Sequence, residues 1–313
     1  LGSESQTLDP KEVFFDFGSP AGLKCSLWYD LAVLRSEDID LFDGTRERRV
    51  PVRLWLPSTA VRAWALFSVG FGGDRSGYAY LGRAWAGRGI ATAVVEHIGS
   101  NLDVLKGLPG RTRAERHQEV VRRVADPEEL SNRPRDLHFA HANLAGRFIG
   151  LPLGLAGHSY GTYTVLAAMG LPTVPRLREP LPAPLSEVSS CLVISPQAPG
   201  LLFSGRALST LKAPTLVLTG TKDAPLSGEG DFRQRVAVFD HLPTGFRNLV
   251  VLEGVEHMAF AGIGLNLAAT LRTVEGLTGQ WWESTLWDAV PPPDRRASDL
   301  SQAAGESLRG DYR

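Results

Sequence analysis

Leu151-Pro-Leu-Gly-Leu-Ala-Gly157-His158-Ser159-Tyr160-Gly161, running on into Thr162-Tyr-Thr-Val-Leu-Ala-Ala168, is the stretch from which the fold of this chain can be read. An apolar run too short for a long helix comes first, then Gly-x-Ser-x-Gly, then small and apolar residues that favour a helix. That order predicts a strand, a sharp elbow carrying Ser159, and a helix. A serine on such an elbow projects its hydroxyl from the end of the sheet. Side chains at Gly157 and Gly161 would collide with the neighbouring strand and helix. The helix N-terminus beside Ser159 presents unpaired N–H groups that favour developing negative charge. Ser159 is therefore a candidate nucleophile, against the plainer reading of a glycine turn that happens to hold a serine.

Outward from the elbow, apolar strands alternate with helical segments. Ala63–Val69 and Ile90–Val95 read as buried strands on the N-terminal side. Ser190–Ile194, Pro214–Thr219 and Asn248–Leu252 read as strands on the C-terminal side. Tyr78–Gly87 reads as a helix, and another is expected from about Gly262 to Asp288. Arg111–Asp126 is expected to be helical but poorly amphipathic. Pro127 and Pro134 are expected to interrupt it, with a helix resuming over Arg135–Phe148. Strands alternating with helices predict an α/β class with a mostly parallel central sheet covered on both faces.

Residues 1–49 read as extended segments that join this sheet, with Asp43-Gly44 as a turn. Residues 50–290 form the expected catalytic domain. Within it the proline-rich stretch 170–188 reads as a surface excursion or a lid, and 291–313 as a weakly ordered tail.

The composition is that of an ordinary globular protein. Its 313 residues are 43% hydrophobic and 21% charged, with a formal net charge of −1. That balance gives no reason to expect a nucleic-acid or strongly charged partner. No apolar run reaches the roughly 18–20 residues needed to span a bilayer. The chain begins at Leu1 rather than Met, and Gly2-Ser3 is compatible with a cloning remnant. Its natural start is thus expected to have been removed or processed, which leaves secreted, periplasmic and cytoplasmic locations open. Cys25 and Cys191 could pair or stay free; Cys191 opens an apolar strand and reads as a small buried hydrophobe.

A serine hydroxyl needs a base, and the base an orienting acid. Of the seven histidines, His257 stands out by its place, in the loop after the strand Asn248–Leu252, on the same sheet edge as the elbow. Asp223 leaves the preceding strand at that edge, giving the chain order Ser159, Asp223, His257. Glu253 and Glu256 could stand in for the acid, but lie too near His257 in sequence to aim at its ring. An oxyanion needs two converging N–H donors. Tyr160, directly after the serine, is one candidate; Phe71 in the glycine-rich loop after Ala63–Val69 is the other, with Gly72 as second choice.

These residues give the chain its resemblance. It looks like a serine α/β-hydrolase, closest to the predicted dienelactone hydrolases and platelet-activating-factor acetylhydrolase-like esterases. The resembling pieces are Val52–Pro57, Phe67–Gly73, Glu96–Ser100, Asn132–Asp136, Gly157–Gly161, Ser195–Gln197, Gly220–Asp223 and Glu253–Met258, in that order. The resemblance implies ester hydrolysis with a serine rather than a cysteine nucleophile. One departure is that Val69-Gly70 stands where such families usually carry His-Gly, which removes a hydrogen bond that orders the oxyanion loop.

The expected reaction is hydrolysis of a small-molecule carboxylic ester through an acyl-enzyme, with no cofactor or metal required. Amide, thioester or C–C cleavage by the same triad is an alternative. A non-catalytic ligand-binding protein on a hydrolase scaffold is the rival from another class. Oligomeric state is not readable.

Other residues have plainer readings. His97 reads first as a buried histidine bonded to backbone. His138 and His141, three apart on a helix, read as a solvated face rather than a metal site, since no third ligand is evident. Trp281, Trp282 and Trp287 read as core packing.

Overall fold

The computed structural model describes residues 35–110, 112–225, 231–245, 247–287 and 310–312. The N-terminal strands expected before residue 35 and most of the expected tail lie outside these residues. So does Cys25.

The described strands are β1 (Arg35–Asp43), β2 (Arg48–Leu56), β3 (Ala63–Ser68), β4 (Ile90–Val95), β5 (Leu153–His158), β6 (Val188–Ile194), β7 (Thr215–Lys222), β8 (Arg247–Glu256) and β9 (Gly310–Tyr312). The α-helices are α1 (Ala79–Ala86), α2 (Leu102–Lys106), α3 (Arg113–Val124), α4 (Pro127–Leu144), α5 (Tyr160–Ala168), α6 (Gly205–Leu208), α7 (Arg233–His241) and α8 (Ala268–Trp282).

The nine strands form one sheet in the order β1-β2-β4-β3-β5-β6-β7-β8-β9. From β4 through β8 every pairing is parallel. β1 and β2 at one edge, and β9 at the other, run antiparallel to their neighbours. β3, β4 and β5 are buried at every position, as strands covered on both faces must be. One apolar cluster packs residues of α4, α5 and α7 against one face of the sheet, among them Leu137, Val165 and Val238. A second packs α1 and α8 against the other face through Trp85, Leu277, Trp281 and Trp282. Trp85 meets Trp282 edge to face at 5.4 Å, so these tryptophans are core, as expected. Trp287 is only partly buried against that cluster.

The parallel strands and α1 lie where the periodicity puts them, whereas the last helix, expected from about Gly262, starts only at Ala268, after Gly262 has ended the preceding 3₁₀ turn in a left-handed conformation. The larger departure is the region of Pro127 and Pro134. Pro127 does not break a helix but starts one: it occupies the first turn of α4, where a missing N–H is harmless, and the side chain of Asp126 caps that turn. Pro134 lies inside the same 18-residue helix. A proline there deprives the carbonyl four residues earlier of its donor. That carbonyl is Leu130, and the Tyr163 hydroxyl on α5 donates to it at 2.7 Å. The helix survives its proline because a neighbouring element supplies the lost hydrogen bond. It ends at Leu144 in a 3₁₀ turn rather than running on to Phe148.

The stretch 170–188 runs along the α4 side. Leu177, Leu181 and Leu185 pack against the core there, and the N–H groups of Arg178 and Glu179 donate to Ser131 Oγ at 2.9 and 3.0 Å. Cys191 is buried in β6 with no disulfide partner among the described residues, and burial pushes its thiol up to about 12. Among the described residues no helix is long and apolar enough to cross a membrane.

Candidate active site

Ser159 sits between the last residue of β5 and the first of α5 with φ 53° and ψ −121°. A non-glycine residue rarely adopts that conformation, and it persists only where its surroundings enforce it. Here they do. A Cβ on Gly157 would stand 2.3 Å from the Gly161 carbonyl oxygen, and one on Gly161 would stand 2.0 Å from the Ser68 carbonyl oxygen. The elbow therefore closes only with glycine at both positions, and the Ser159 N–H is tied to the Ile194 carbonyl at 2.9 Å.

His257 follows β8 and places Nε2 3.0 Å from Ser159 Oγ. Its Nδ1 lies 2.8 Å from Asp223 Oδ1. A carboxylate can only accept, so Nδ1 carries the proton and Nε2 is left free to take the serine's. Asp223, just past β7, is completely buried. Its Oδ2 accepts from Ser195 Oγ and from Thr219 Oγ1, the latter at 2.8 Å. Its Oδ1 also pairs with Arg235 Nε at 2.8 Å. Burial pushes this carboxyl up, but the His257 hydrogen bond and the Arg235 charge outweigh that and hold it below the ordinary aspartate value. Glu253 and Glu256 are exposed.

Arg235 on α7 is buried. Besides the Asp223 side chain it donates to the carbonyls of Ser195, Pro196, Asp223 and Ala224 at 2.7–3.0 Å. Its Nη2 stands 3.2 Å from His257 Nδ1. Both atoms are donors, so this is a charge beside the ring rather than a hydrogen bond.

The glycine-rich loop after β3 abuts Ser159: a Cβ on Gly70 would lie 3.4 Å from Ser159 Cβ. Gly72 donates its N–H to the Ser100 carbonyl at 2.8 Å, which occupies the second-choice oxyanion donor. Among the described residues the N–H groups of Phe71 and Tyr160 have no acceptor. The Gly70 N–H faces the Tyr78 hydroxyl at 3.4 Å, and that hydroxyl lies 2.7 Å from His158 Nδ1. The His158 ring is 4.7 Å from that of His257. Burial, with the nearby His257 in support, holds His158 well below the usual histidine value, so it stays neutral beside the His257 ring.

No family model matches the chain, and no curated protein matches it in sequence. Solved structures do resemble it. A dienelactone hydrolase from Anabaena variabilis superposes with a TM-score of 0.54 at 20% identity, covering 81% of this chain and 99% of that one. A cold-adapted esterase from an Arctic intertidal metagenomic library, in complex with polyethylene glycol, gives 0.53 at 15%, covering 81% and 94%. The esterase domain of a Rhodothermus marinus protein gives 0.54 at 16%, covering 80% and 99%. The chain has the α/β-hydrolase fold.

Within that fold the five residues singled out from the sequence gather at the C-terminal ends of the parallel strands. The sequence reading missed Arg235, Ser195 and Thr219. Only Ser195-Pro-Gln197 carried a signal, as one of the resembling pieces. Two expectations need correcting. His97 is not bonded to backbone: its ring lies between Ser68 Oγ at 2.9 Å and Asp136 Oδ2 at 3.1 Å, all three residues being fully buried. His138 and His141 do not form a solvated face either. They are half-buried, and His141 stacks on Trp64 and pairs with Glu187 at 2.8 Å. Among the described residues no group of three or more His, Cys, Asp or Glu could hold a metal ion.

Proposed function

We propose that the protein is a serine hydrolase that cleaves carboxylic esters through an acyl-enzyme. The observation that carries this reading is the continuous hydrogen-bond chain Ser159 Oγ, His257, Asp223; the N–H groups of Phe71, in the loop that abuts Ser159, and of Tyr160, directly after it, have no acceptor among the described residues.

His257 Nε2 takes the hydroxyl proton as Ser159 Oγ attacks the ester carbonyl carbon. The carbonyl oxygen becomes an oxyanion and accepts from the N–H groups of Phe71 and Tyr160. The imidazolium then gives its proton to the leaving alkoxide, the C–O bond breaks, and an acyl-serine remains. Water, activated by the same nitrogen, attacks that acyl group; the second collapse releases the acid and restores the hydroxyl. Asp223 keeps the His257 proton on Nδ1 throughout. The solved structures that resemble the chain are named as esterases and a dienelactone hydrolase, which favours esters over other acyl compounds.

The test is labelling with a fluorophosphonate, joined to turnover of a chain-length series of p-nitrophenyl esters. The wild type should label at Ser159 and turn over. Ser159→Ala should do neither, losing several orders of magnitude in kcat, with His257→Ala nearly as severe and the double variant little worse. A folded Ser159→Ala that keeps more than a few per cent of activity, as a rough threshold, would show that another group is the nucleophile.

A further inference from the structure

A second buried polar network lies behind the oxyanion loop, and the mechanism above leaves it unused. At its centre is Arg133, fully buried on α4. Its Nη2 donates to the Val69 carbonyl, two residues before Phe71, and lies 3.3 Å from Ser68 Oγ. Its Nη1 donates to Ser100 Oγ at 2.7 Å, and the carbonyl of Ser100 holds the Gly72 N–H at 2.8 Å. Both flanks of Phe71 are thus tied to one guanidinium.

The same group reaches the elbow helix. Its Nε donates to Thr164 Oγ1 at 2.9 Å, and its plane covers the Tyr160 ring, 4.3 Å from the ring centre. Five donors in a rigid planar fork allow one side chain to satisfy acceptors on several elements at fixed angles.

We propose that Arg133 is the positioning residue of the oxyanion hole, fixing the loop that carries Phe71 relative to the helix that carries Tyr160. The inference rests on the reading of those two N–H groups as the oxyanion donors. It also answers a question the sequence raises. Val69-Gly70 offers no side-chain hydrogen bond to order this loop, and the order comes from beneath the loop instead.

A buried cation needs its own support, and the surroundings provide it. Ser68 Oγ receives from Arg133 and donates to His97 Nε2, whose Nδ1–H turns to Asp136. Asp136 also binds Arg46 and Arg48 at 2.8–3.2 Å, and Arg48 pairs with Glu129. The direction of these bonds requires a neutral His97. Burial and the Arg133 charge hold it there, lowering it to about 3. The serine, histidine and aspartate of this set have no exposed surface, so the likeness to a catalytic triad ends at the hydrogen-bond order.

The test compares p-nitrophenyl acetate with its thiono analogue, in which sulfur replaces the carbonyl oxygen. Sulfur is a poorer and larger acceptor, so a well-formed oxyanion hole favours the oxygen ester strongly. If wild-type enzyme shows no preference beyond that of uncatalysed hydrolysis, the oxyanion reading itself fails.

If it does show one, Arg133→Met should lower kcat by about 10²-fold, since a donor displaced by about 1 Å costs that much, with KM nearly unchanged and the oxygen preference reduced. Arg133→Lys, which keeps the charge but loses the fork, should fall between. Thr164→Val and Ser100→Ala each remove one acceptor and should shift kcat and the preference the same way by less. They decide the matter if Arg133→Met does not fold. Folded variants with a lowered melting temperature but wild-type kcat and wild-type preference would overturn the inference, because Arg133 would then serve only stability.

Discussion

Asp223→Asn is the substitution on which this site should part company with an ordinary triad. In a triad whose acid is bound mainly by its histidine, asparagine turns its NH₂ to the ring, forces the wrong tautomer and costs about 10⁴-fold. Here Asp223 receives four donors: His257 and Arg235 on Oδ1, Ser195 and Thr219 hydroxyls on Oδ2. Asparagine has a natural orientation among them. Its oxygen faces the two obligate donors, His257 and Arg235. Its NH₂ faces the two hydroxyls, which can rotate to accept. The His257 tautomer is therefore kept.

What is lost is the negative charge. Arg235 Nη2 stands 3.2 Å from His257 Nδ1, and without the carboxylate it opposes the imidazolium that forms in each transition state of the proposed mechanism. Unit charges 4 Å apart interact by about 4 kcal/mol at an effective dielectric of 20, which corresponds to about 10³-fold in rate. Asp223→Asn should thus lose about 10³-fold in kcat/KM. Adding Arg235→Gln, which removes the opposing charge but still donates hydrogen bonds, should recover at least about tenfold. The assay is kcat/KM on p-nitrophenyl acetate, with circular dichroism to confirm folding. A folded double variant no faster than Asp223→Asn alone would refute the charge argument. Equal damage from Asp223→Asn and Asp223→Ala would refute the retained tautomer.

Tyr163→Phe should lower stability by about 1–3 kcal/mol in urea denaturation, because it strands the buried Leu130 carbonyl; in a Pro134→Ala background, where a restored N–H reaches the same oxygen, the cost should fall toward zero, and an unchanged cost would refute the account of α4. His97, His138, His141 and His158 are all held below the ordinary histidine value, chiefly by burial. The unfolded chain then binds more protons than the folded one below about pH 6.5, so stability is full above that value and declines as pH falls from about 6.5 toward 3; a urea midpoint constant from about pH 6.5 to 4.5 would contradict this. Asp223 and Asp136, both lowered, act further down: their contribution is present above the ordinary aspartate value and lost as pH drops through their folded values. Phe71→Pro deletes the N–H proposed as an oxyanion donor and should slow all esters by about 10²–10³-fold, whereas Phe71→Ala keeps the N–H and should harm bulky acyl esters more than acetyl esters; near-normal turnover in a folded Phe71→Pro would move the donor elsewhere.

The parallel core and the site's chain order were legible because each rests on local signals. β3, β4 and β5 are short apolar runs, buried along their whole length. Ser159 is announced by glycines whose absent side chains the elbow demands, while Asp223 and His257 follow strands at the edge where such sites form. Arg235 carried no comparable signal. It lies on α7, between β7 and β8, and its reach to Asp223 is set by how that helix packs. A charged residue on a short polar helix reads as solvent-facing until the packing is known.

The helix α4 shows where such partners could have been sought. Its buried positions include Leu130, Leu137, Ala140 and Leu144, an ordinary apolar stripe, but also Glu129, Arg133 and Asp136. Seen as a sequence, Pro127 and Pro134 argue for a break in this segment, with a helix resuming only at Arg135. The structure reverses the inference. Charged residues at helical spacing on the apolar face are costly to bury unless each meets a partner. Their partners come from β1–β2, from the segment after β4 and from the end of β3, up to 90 residues away along the chain. Pro134 obeys the same logic, since its cost is met by a hydroxyl on α5 rather than by its own helix. A segment that violates amphipathicity and contains a proline, yet lies between well-formed strands, is therefore better read as a helix stitched to its neighbours than as a loop. The function of the stitch then depends on what lies at its other end, and here that is the Ser159 elbow and the loop beside it.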